Sequence, residues 1–356
     1  MENLSSTTTK RVCGLDLGDK VSRLYLCTPM GEVELQANAK TTEPGLGKFF
    51  HGVEPMRIAL ETGTHSPWVS RLLSGWGHEV IVANPYKVRL IGNSRRKNDR
   101  VDALTLADLA SVRPRLLSPI EHISAEAQAD RGVLRGRDAL VRARAGLISS
   151  ARGLVKAMGA RLPSSSAEAF AKKAAAAVPA ALVPTIMPML EVISQLTVQI
   201  RGFDRQIAEL IDKRYAQAKK LMQIKGVGPI TSLAYVLAVG DPKRFARSRV
   251  VGAYFGLVPA QRSSGDSNPQ LRISKQGDPF VRRLLVQCAH YILGPYGDDC
   301  DLKRYGQRIV TTGGGKNVKK RATVAVARKL AVLLHRLLVS GQTYEPLRQG
   351  PLQAAA

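Results

Sequence analysis

Hydrophobic and polar residues in the first third of the chain follow the pattern of a mixed sheet. The runs "RVCGLDLGD", "VSRLYLCT" and "EVELQANA" are short, β-prone and separated by turn residues, which predicts three consecutive antiparallel strands. Helical patterns then alternate with the strand-like runs "MRIALETG" and "HEVIVANP". This alternation is typical of parallel strands joined by crossover helices. The pattern therefore predicts an α/β domain.

A longer helical periodicity begins after that domain. Apolar residues recur every seven positions from Val133 to Leu154, which predicts a helix with a wide apolar stripe. A second run, from Met189 to Leu210, alternates four- and three-residue steps as the seam of a coiled coil does. We predict a coiled-coil hairpin whose first helix breaks near Pro163 and whose second begins after Pro188. An ordinary helical core and a contact between subunits would both satisfy this pattern.

The last third of the chain predicts a mainly helical domain with a turn of special composition. The segment "MQIKGVGPITSLAYVLAVGDPKRF" joins two apolar helical runs through a hydrophobic-Gly-hydrophobic-Gly turn, a spacing that suits a helix-hairpin-helix. In such a turn Gly226 and Gly228 would let backbone N–H groups approach a phosphate at a helix N-terminus. A tight packing turn between two helices is the alternative. Further helices are predicted from about Pro279 and from Asn317 to Ser340.

The length and composition of the chain allow more than one globular core. Its 356 residues are 44% hydrophobic, enough for two domains and a connecting region. We therefore predict an α/β plus α chain. Its parts are a disordered leader (1–10), the α/β domain (11–120), the coiled-coil region (121–215), the C-terminal domain (216–345) and a disordered tail (346–356).

The charge of the chain indicates a polyanionic partner. Lys and Arg outnumber Asp and Glu by 53 to 28, which gives a formal net charge of +25, far more than solubility requires. A membrane is not expected as a partner, because the most apolar stretch contains three prolines and the N-terminus lacks a signal-peptide pattern. The four cysteines form no CxxC pair and the six histidines are scattered, so neither a disulfide framework nor a zinc site is indicated. We expect a cytoplasmic protein that binds nucleic acid.

Four acidic residues are placed where they could form a metal site. Asp16 ends the first predicted strand and Glu61 the fourth; in an RNase H-like sheet, which has this order of elements, these strands are neighbours. Asp99 and Asp102 lie three residues apart at the start of a helix and therefore face one side of it. Oxygen ligands suit Mg²⁺ or Mn²⁺, which can polarise a phosphodiester. The alternative is that Asn98 caps this helix and the two aspartates only favour the positive end of its dipole.

A Gly/Ser/Asn-rich loop in the last third is followed by a basic segment, "GLVPAQRSSGDSNPQLRISKQGDPFVRRLL". A serine hydroxyl is a poor nucleophile unless a base, a metal or nearby positive charge stabilises its alkoxide, and Arg262, Arg272 and Lys275 supply such charge. From the residues alone, loop solubility or a turn hydrogen bond is the simpler role for each serine. The residues that we predict to contact nucleic acid are Arg95, Arg96, Lys97, Lys225, Gly226, Gly228, Arg262, Arg272, Lys275, Arg282, Arg283, Lys316, Lys319, Lys320 and Arg321.

Several motifs together resemble one known family. They are "GLDLGD", "ALETGT", "NPYKVRLIGNSRRKNDRVDALTLADL", "IKGVGPITSLAYVLAVGD", "VVGAYFGLVPAQRSSG" and "ISKQGDPFVRRLL". In this order they resemble the bridge-RNA-guided recombinases, the DEDD/serine transposases of bacterial insertion sequences. The resemblance covers roughly residues 10–115 and 215–340. The helices between these ranges are similar only in character.

The resemblance implies specific roles for residues at both ends of the chain. It implies a Holliday-junction-resolvase-like N-terminal domain whose DEDD acids are Asp16, Glu61, Asp99 and Asp102. It also implies a C-terminal transposase domain whose serine attacks DNA and forms a phosphoserine link. The alignment from "GLVP" places this nucleophile at Ser264, with the adjacent Ser263 as its competitor.

The resemblance further implies the partners and the setting of the reaction. A structured noncoding guide RNA pairs with donor and target DNA, and the acids of one subunit meet the serine of another in a homotetramer. Strand exchange then proceeds through a Holliday junction in the bacterial cytoplasm, in association with the nucleoid. Two alternatives remain open: a junction-resolving nuclease in which the same acids activate water, and a non-catalytic scaffold that binds nucleic acid.

Overall fold

The computed structural model of the protein describes residues 10–85, 99–262, 269 and 271–348, with the backbone alone for residues 99–102. Contacts between residues divide the chain into two compact units, Met1–Ala125 and Glu126–Ala356. Each unit has its own hydrophobic core.

The first unit is a mixed α/β domain, as predicted. Its strands are β1 (Val12–Asp16), β2 (Val21–Cys27), β3 (Val33–Lys40), β4 (Arg57–Glu61) and β5 (Glu79–Ala83). They form one sheet in the order β3-β2-β1-β4-β5. The first three strands pair antiparallel, whereas β4 is parallel to both β1 and β5. The helices are α1 (Glu43–Phe50), α2 (Ser66–Gly75) and α3 (Asp99–Val112).

Side chains that alternate along β1 and β4 give the sheet two covered faces. Cys13 and Leu15 share one core with apolar residues of α1 and α2. Val12 and Ala59 share another with Leu106 and its neighbours in α3. Because successive side chains of a strand point to opposite faces, α3 lies on the face opposite to α1 and α2. The central strands are therefore buried on both sides.

A glycine fixes how closely α3 approaches the sheet. A Cβ atom at Gly14 would overlap the carbonyl oxygen of Ala103 and would lie 2.8 Å from the backbone nitrogen of Ala107. The C-terminal part of α3 is held by Arg57, whose side chain is 3% exposed and pairs with Glu79 at 2.9 Å. Arg57 Nη1 also donates to the carbonyl of Ala110 at 3.0 Å. Backbone contact and a buried cation thus set the position of this helix.

The second unit begins with a helical hairpin. Its helices are α4 (Ala125–Ala157), α5 (Phe170–Ala175) and α6 (Val183–Lys213). Ala151 and Val155 of α4 pack with Ile186 and Ile193 of α6, and Phe170 of α5 joins the same core. The short α5 and the segment before it therefore complete the packing that two helices alone would leave open.

Two boundaries of this hairpin differ from the prediction. The first helix ends at Ala157 rather than near Pro163. The second begins at Val183 and contains Pro188, so the prediction of a start after that proline was wrong. A proline inside a helix removes one backbone hydrogen bond at a cost of about 3 kcal/mol. The buried side chains of Ile186 and Leu190 on either side of it favour a continuous helix.

The buried stripe of α6 also differs from the predicted seam. It includes Leu190 and Thr197 where the pattern predicted Met189 and Leu196. Thr197 is buried because its hydroxyl accepts a hydrogen bond from the buried Arg144 of α4 at 3.1 Å. A polar contact inside the hairpin thus replaces one position of the predicted apolar seam.

Among the described residues one helix, Ala180–Lys213, has the length and apolar composition that crossing a membrane would require. Those properties also suit a helix that packs on others, and this one buries Ile193, Ile200 and Ile207. Its composition by itself is weak evidence for a membrane span.

The rest of the second unit is helical and surrounds α8. Its helices are α7 (Gln217–Leu221), α8 (Pro229–Val239), α9 (Val251–Tyr254), α10 (Pro279–Leu293), α11 (Asp301–Thr312) and α12 (Val318–Ser340). All residues of α8 from Thr231 to Val239 are buried. The hydroxyl of Tyr235 donates to the carbonyl of Ala331 in α12 at 2.6 Å. Leu134 and Ile207 of the hairpin belong to the same core, which makes the hairpin part of this unit.

The substitution Gly14→Ala tests the contact that positions α3. The added Cβ meets backbone atoms, which cannot rotate away, so the helix must shift. We expect a loss of about 3 kcal/mol in the free energy of unfolding of the first unit, measured as a lower denaturation temperature. Gly75→Ala is the matched control, because nothing lies within 4 Å of a Cβ there. Equal stability of the two variants would contradict the close packing of α3 on β1.

Candidate active site and nucleic-acid interface

Asp16 and Glu61 lie at the ends of adjacent parallel strands. Gly14 pairs with Ala59 and Leu15 with Leu60. Asp16 and Glu61 follow these pairs, and each is the last residue of its strand. Since side chains two residues apart share a face, Asp16 is on the face of Gly14 and Glu61 on that of Ala59. This is the face that α3 covers.

The direction of α3 brings its first turn to the same edge of the sheet. Ala110 near the end of the helix lies against Arg57 at the start of β4, and Ala103 lies against Gly14 further along β1. The helix therefore runs antiparallel to both strands, and its first residues lie beyond Gly14 in the direction of Asp16. Asp99 and Asp102 belong to this turn; their side chains are outside the described part of the structure.

The acids described at this edge offer oxygen ligands only. Among the described side chains, no group of three or more His, Cys, Asp or Glu residues is placed to hold a metal ion. Asp99 and Asp102 are not among those side chains. Arg23 of β2 is the register partner of Asp16 on the other side of β1. The edge thus carries two carboxylates, with a guanidinium on the neighbouring strand.

The serine-rich loop starts and ends at a short antiparallel bridge. Pro259 pairs with Ile273, and the backbone nitrogen of Ala260 donates to the carbonyl of Arg272 at 2.9 Å. Gly277, which has a φ of 74°, completes this base because a Cβ there would overlap the carbonyl oxygen of Tyr254. Ser263 and Ser264, the two candidates for the nucleophile, belong to this loop and lie outside the described residues.

One aspartate fixes the chain that follows this loop to the helical hairpin. Asp278 caps α10 by accepting from the backbone nitrogen of Phe280 at 2.7 Å. It also forms ion pairs with Arg131 and Arg135 of α4, the latter at 2.9 Å. The guanidinium of Arg135 lies 4.6 Å from the ring centroid of Phe280. The side chain of Asp278 is 8% exposed, so these contacts are among the stronger ion pairs of the unit.

The predicted helix-hairpin-helix turn lies between α7 and α8. Gly226 has a φ of 95°, and a Cβ there would lie 2.6 Å from Cδ1 of Tyr291. Gly228 is the residue before α8. Lys225 pairs with Asp298 at 2.6 Å, and this hydrogen bond raises the pKa of its ammonium group. These contacts are those of a packing turn; they leave the exposed Gly228 at the surface.

The other basic residues predicted to contact nucleic acid fall into two groups. Some stabilise the fold: Arg282 donates to the carbonyls of Phe255 and Gln276 at 3.1 and 2.8 Å, and Arg283 pairs with Asp138 at 2.6 Å. The exposed ones are Arg262, Arg272, Lys275, Lys316, Lys319, Lys320 and Arg321. Arg95, Arg96 and Lys97 lie outside the described residues.

Two family models match the chain, and the first extends from the sheet domain into the helical hairpin. The DEDD transposase model of the IS110 type matches residues 13–159. The model of the transposase IS116/IS110/IS902 family matches residues 218–296. The first match contains the strands that end in Asp16 and Glu61 together with α3. The second contains the base of the serine-rich loop.

Several curated proteins of similar sequence are transposases, and two of them are transposases for bacterial insertion sequence elements. The chain is 31% identical over 280 residues to the transposase for insertion sequence element IS1111A of Coxiella burnetii, covering 77% of this chain and 75% of that protein. It is 32% identical over 283 residues to the transposase for IS1328 of Yersinia enterocolitica, covering 78% and 82%. A probable family 20 transposase of Pseudomonas aeruginosa is 29% identical over 344 residues, 94% of this chain and 98% of that protein.

A mixed sheet domain with acidic residues at one edge, followed by a helical unit, has the organisation of a DEDD transposase. The chain belongs to the IS116/IS110/IS902 family of insertion-sequence transposases, and it is a DNA transposase.

The substitution Asp278→Asn tests the anchor between the loop and the hairpin. Asparagine still caps α10, but it loses the ionic part of the contacts with Arg131 and Arg135. We expect the free energy of unfolding of the second unit to fall by about 2 kcal/mol. Glu209→Gln is the control, since its pair with Lys213 is exposed and should be worth less than about 0.5 kcal/mol. If both variants melt at the same temperature, Asp278 is not an anchor.

Proposed function

We propose that the protein is an RNA-guided DNA recombinase that cuts and rejoins donor and target DNA through a phosphoserine intermediate. One observation carries this proposal: Asp16 and Glu61 end adjacent strands at the edge where α3 begins with Asp99 and Asp102. Two of these four acids, which span 87 positions of sequence, lie at one end of the sheet, and the helix that carries the other two begins at that end.

The order of the strands supports an RNase H-like, Holliday-junction-resolvase-like domain. An antiparallel group, β3-β2-β1, continues into the parallel strands β4 and β5, and helices cover both faces. Ligands of such open sheets bind at the carboxyl ends of parallel strands. Asp16 and Glu61 lie at that end, which is also where we expect the nucleic acid.

Asp16, Glu61, Asp99 and Asp102 fit Mg²⁺ or Mn²⁺ as ligands, because these ions prefer carboxylate oxygen. Transposases of the DEDD type typically use a divalent metal. When bound, such an ion polarises a phosphodiester and stabilises charge on its oxygens. Within the protein, the backbone contact at Gly14 would hold the first turn of α3 where its two aspartates complete the set.

Ser264 is the proposed nucleophile. Its hydroxyl oxygen would form a bond to the phosphorus while the bond from phosphorus to a deoxyribose oxygen breaks, and the serine proton would pass to that leaving oxygen. The bond energy is conserved, so the reverse reaction rejoins strands without ATP. Arg272 and Lys275 stand at the base of the loop, where their charge favours the serine alkoxide and the approaching phosphate. Ser263 is the adjacent competitor.

The proposed partners are a structured guide RNA and donor and target DNA. A net charge of +25 supports binding of several backbones at once. Base pairing would read the sequence while the protein reads backbone and shape. In the family that the motifs resemble, a homotetramer brings the acids of one subunit to the serine of another; we propose the same assembly here, with strand exchange through a Holliday junction.

Ser264→Ala tests the covalent intermediate. We expect no covalent protein–DNA adduct from this variant, while its binding of the guide RNA is unchanged, because the change removes one oxygen atom from a loop. Adducts are measured by denaturing electrophoresis with labelled DNA, and Ser263→Ala is the matched control. Adducts that survive in Ser264→Ala but not in Ser263→Ala would assign the nucleophile to Ser263. DNA cleavage without any adduct in the unaltered protein would favour a nuclease that uses water.

Asp99→Asn and Asp102→Asn test the acidic site. Each amide keeps the shape of the side chain but removes one anionic ligand, so we expect recombination to fall at least about 100-fold. The denaturation temperature should stay within a few degrees of the original. Asp19→Asn is the control, as its carboxylate is 89% exposed and pairs only with His65 among described side chains. Unchanged recombination in both variants would remove these residues from the metal site.

A further inference from the structure

A long groove runs along α12 in the second unit. Its volume is about 920 Å³, and its walls come from α12, α11, the base of the serine-rich loop and residues 342–348. We infer that this groove binds an unpaired strand of DNA beside the serine-rich loop. The choice of DNA rests on the proposed function, whereas the preference for a single strand rests on the groove itself.

The length of the groove fits a polymer better than a small molecule. Residues of α12 line it from Lys320 to Ser340, at positions three or four apart such as Val324, Arg328 and Val332. This spacing places them on one face of the helix. Twenty residues of helix extend over about 30 Å, so the groove extends along most of α12.

The charge of the groove favours a polyanion. Of the described residues that line it, nine are Lys or Arg and two are Asp or Glu. Both acids already have partners: Asp301 accepts from the backbone nitrogen of Arg348 at 3.1 Å, and Glu345 pairs with the side chain of Arg348 at 3.3 Å. The remaining cations form no ion pair within the described part of the chain, although Arg321 donates to the carbonyl of Gly314 at 2.7 Å and Lys329 Nζ lies 3.7 Å from the ring centroid of Tyr305. Their charges can neutralise phosphates, which is the main source of affinity for nucleic acids.

The fold gathers this charge from separate parts of the sequence. Arg272 and Lys275 come from the base of the serine-rich loop, and Lys320 and Arg321 from the start of α12. Arg328 and Arg336 continue the row along the helix. The crowding of cations acts on Lys329 as well: burial and the nearby charge of Arg308 lower the pKa of its ammonium group.

The floor of the groove is apolar, which distinguishes single strands from duplexes. Leu257, Leu302 and Leu337 are buried at its bottom, and the rings of Tyr305 and Tyr344 also line it. A duplex presents phosphates outward and keeps its bases stacked inside. An unpaired strand exposes both phosphates and base faces. Its phosphates can lie on the cationic rim while its bases stack on apolar or aromatic side chains.

The position of the groove favours DNA over RNA. Pro259, Arg272 and Ile273 belong both to its wall and to the bridge from which the serine-rich loop departs. A DNA strand that reacts at the loop would therefore have to pass close to the groove. Strand exchange also requires unpaired DNA for a short time, and the groove would hold such a strand during rejoining.

The double substitution Arg328→Gln with Arg336→Gln tests this inference in the full-length protein. The probes are fluorescent oligothymidylate of about 15 nucleotides, an oligouridylate and a DNA duplex of equal length. We expect affinity for oligothymidylate to fall at least about tenfold, and the slope of log affinity against log salt to shrink by about 1.4. Duplex affinity should change less than about threefold. Arg201→Gln with Arg205→Gln removes the same charge from exposed positions of α6 and should leave all three affinities near their original values.

A second variant tests whether binding requires the open groove or only the positive charge around it. Val332→Trp fills the middle of the groove and keeps every cation, so it should weaken oligothymidylate binding as the double variant does; a circular dichroism melt checks that it folds. Equal losses for single strands and duplexes in Arg328→Gln/Arg336→Gln would overturn the inference, as would a loss confined to oligouridylate. Adduct formation on duplex substrates is measured in parallel with the unaltered protein: if adducts form at Ser264 but the unaltered protein does not bind oligothymidylate, the groove inference fails and the proposed function stands.

Discussion

The position of α3 depends on the absence of a side chain at Gly14. Backbone atoms of Ala103 and Ala107 occupy the space that a Cβ would need, so the helix lies closer to β1 than any other residue would allow. At the other end of the helix, the buried Arg57 holds the carbonyl of Ala110. Two points of attachment determine the direction of a rigid helix. That direction places the first turn of α3, with two of the four acids, at the edge where the strands end.

A comparable constraint acts on the serine-rich loop in the second unit. The Pro259–Ile273 bridge joins the two ends of the loop. Asp278 then fixes the chain that follows the loop to helix α4. Asp278 combines a helix cap with two ion pairs, so the start of α10 and the hairpin helix α4 share one anchor. Both ends of the segment that carries the proposed nucleophile are therefore fixed to the rest of the unit.

Much of the first unit was predictable because its signals are local. Turn residues and β-prone runs mark the strands, and the final position of Asp16 and Glu61 in their strands was readable before the strand order was known. The order β3-β2-β1-β4-β5 places them side by side. The close approach of α3 to β1 at Gly14 could not be predicted from the sequence, because a glycine in a strand can have several different roles.

The hairpin was predicted less well because tertiary contacts override local patterns there. Pro188 lies inside α6 although proline disfavours a helix interior, and Thr197 is buried because Arg144 reaches it. Asp278 and Arg135 are 143 positions apart, so no pattern of spacing reveals their pairing. The roles of Asp99, Asp102 and Ser264 remain predictions of the motifs, since their side chains lie outside the described residues.

Ion pairs are unevenly distributed among the basic residues of the second unit. In the hairpin, the basic side chains Arg131, Arg137 and Arg144 each meet an acid. Helix α12 contains no Asp or Glu, and its basic residues form no ion pair within the described part of the chain. Leaving like charges side by side costs stability, and an anion that bound there would offset that cost. The excess of positive charge is thus not spread evenly: where it is neutralised it holds helices together, and along α12 it remains available for a phosphate backbone.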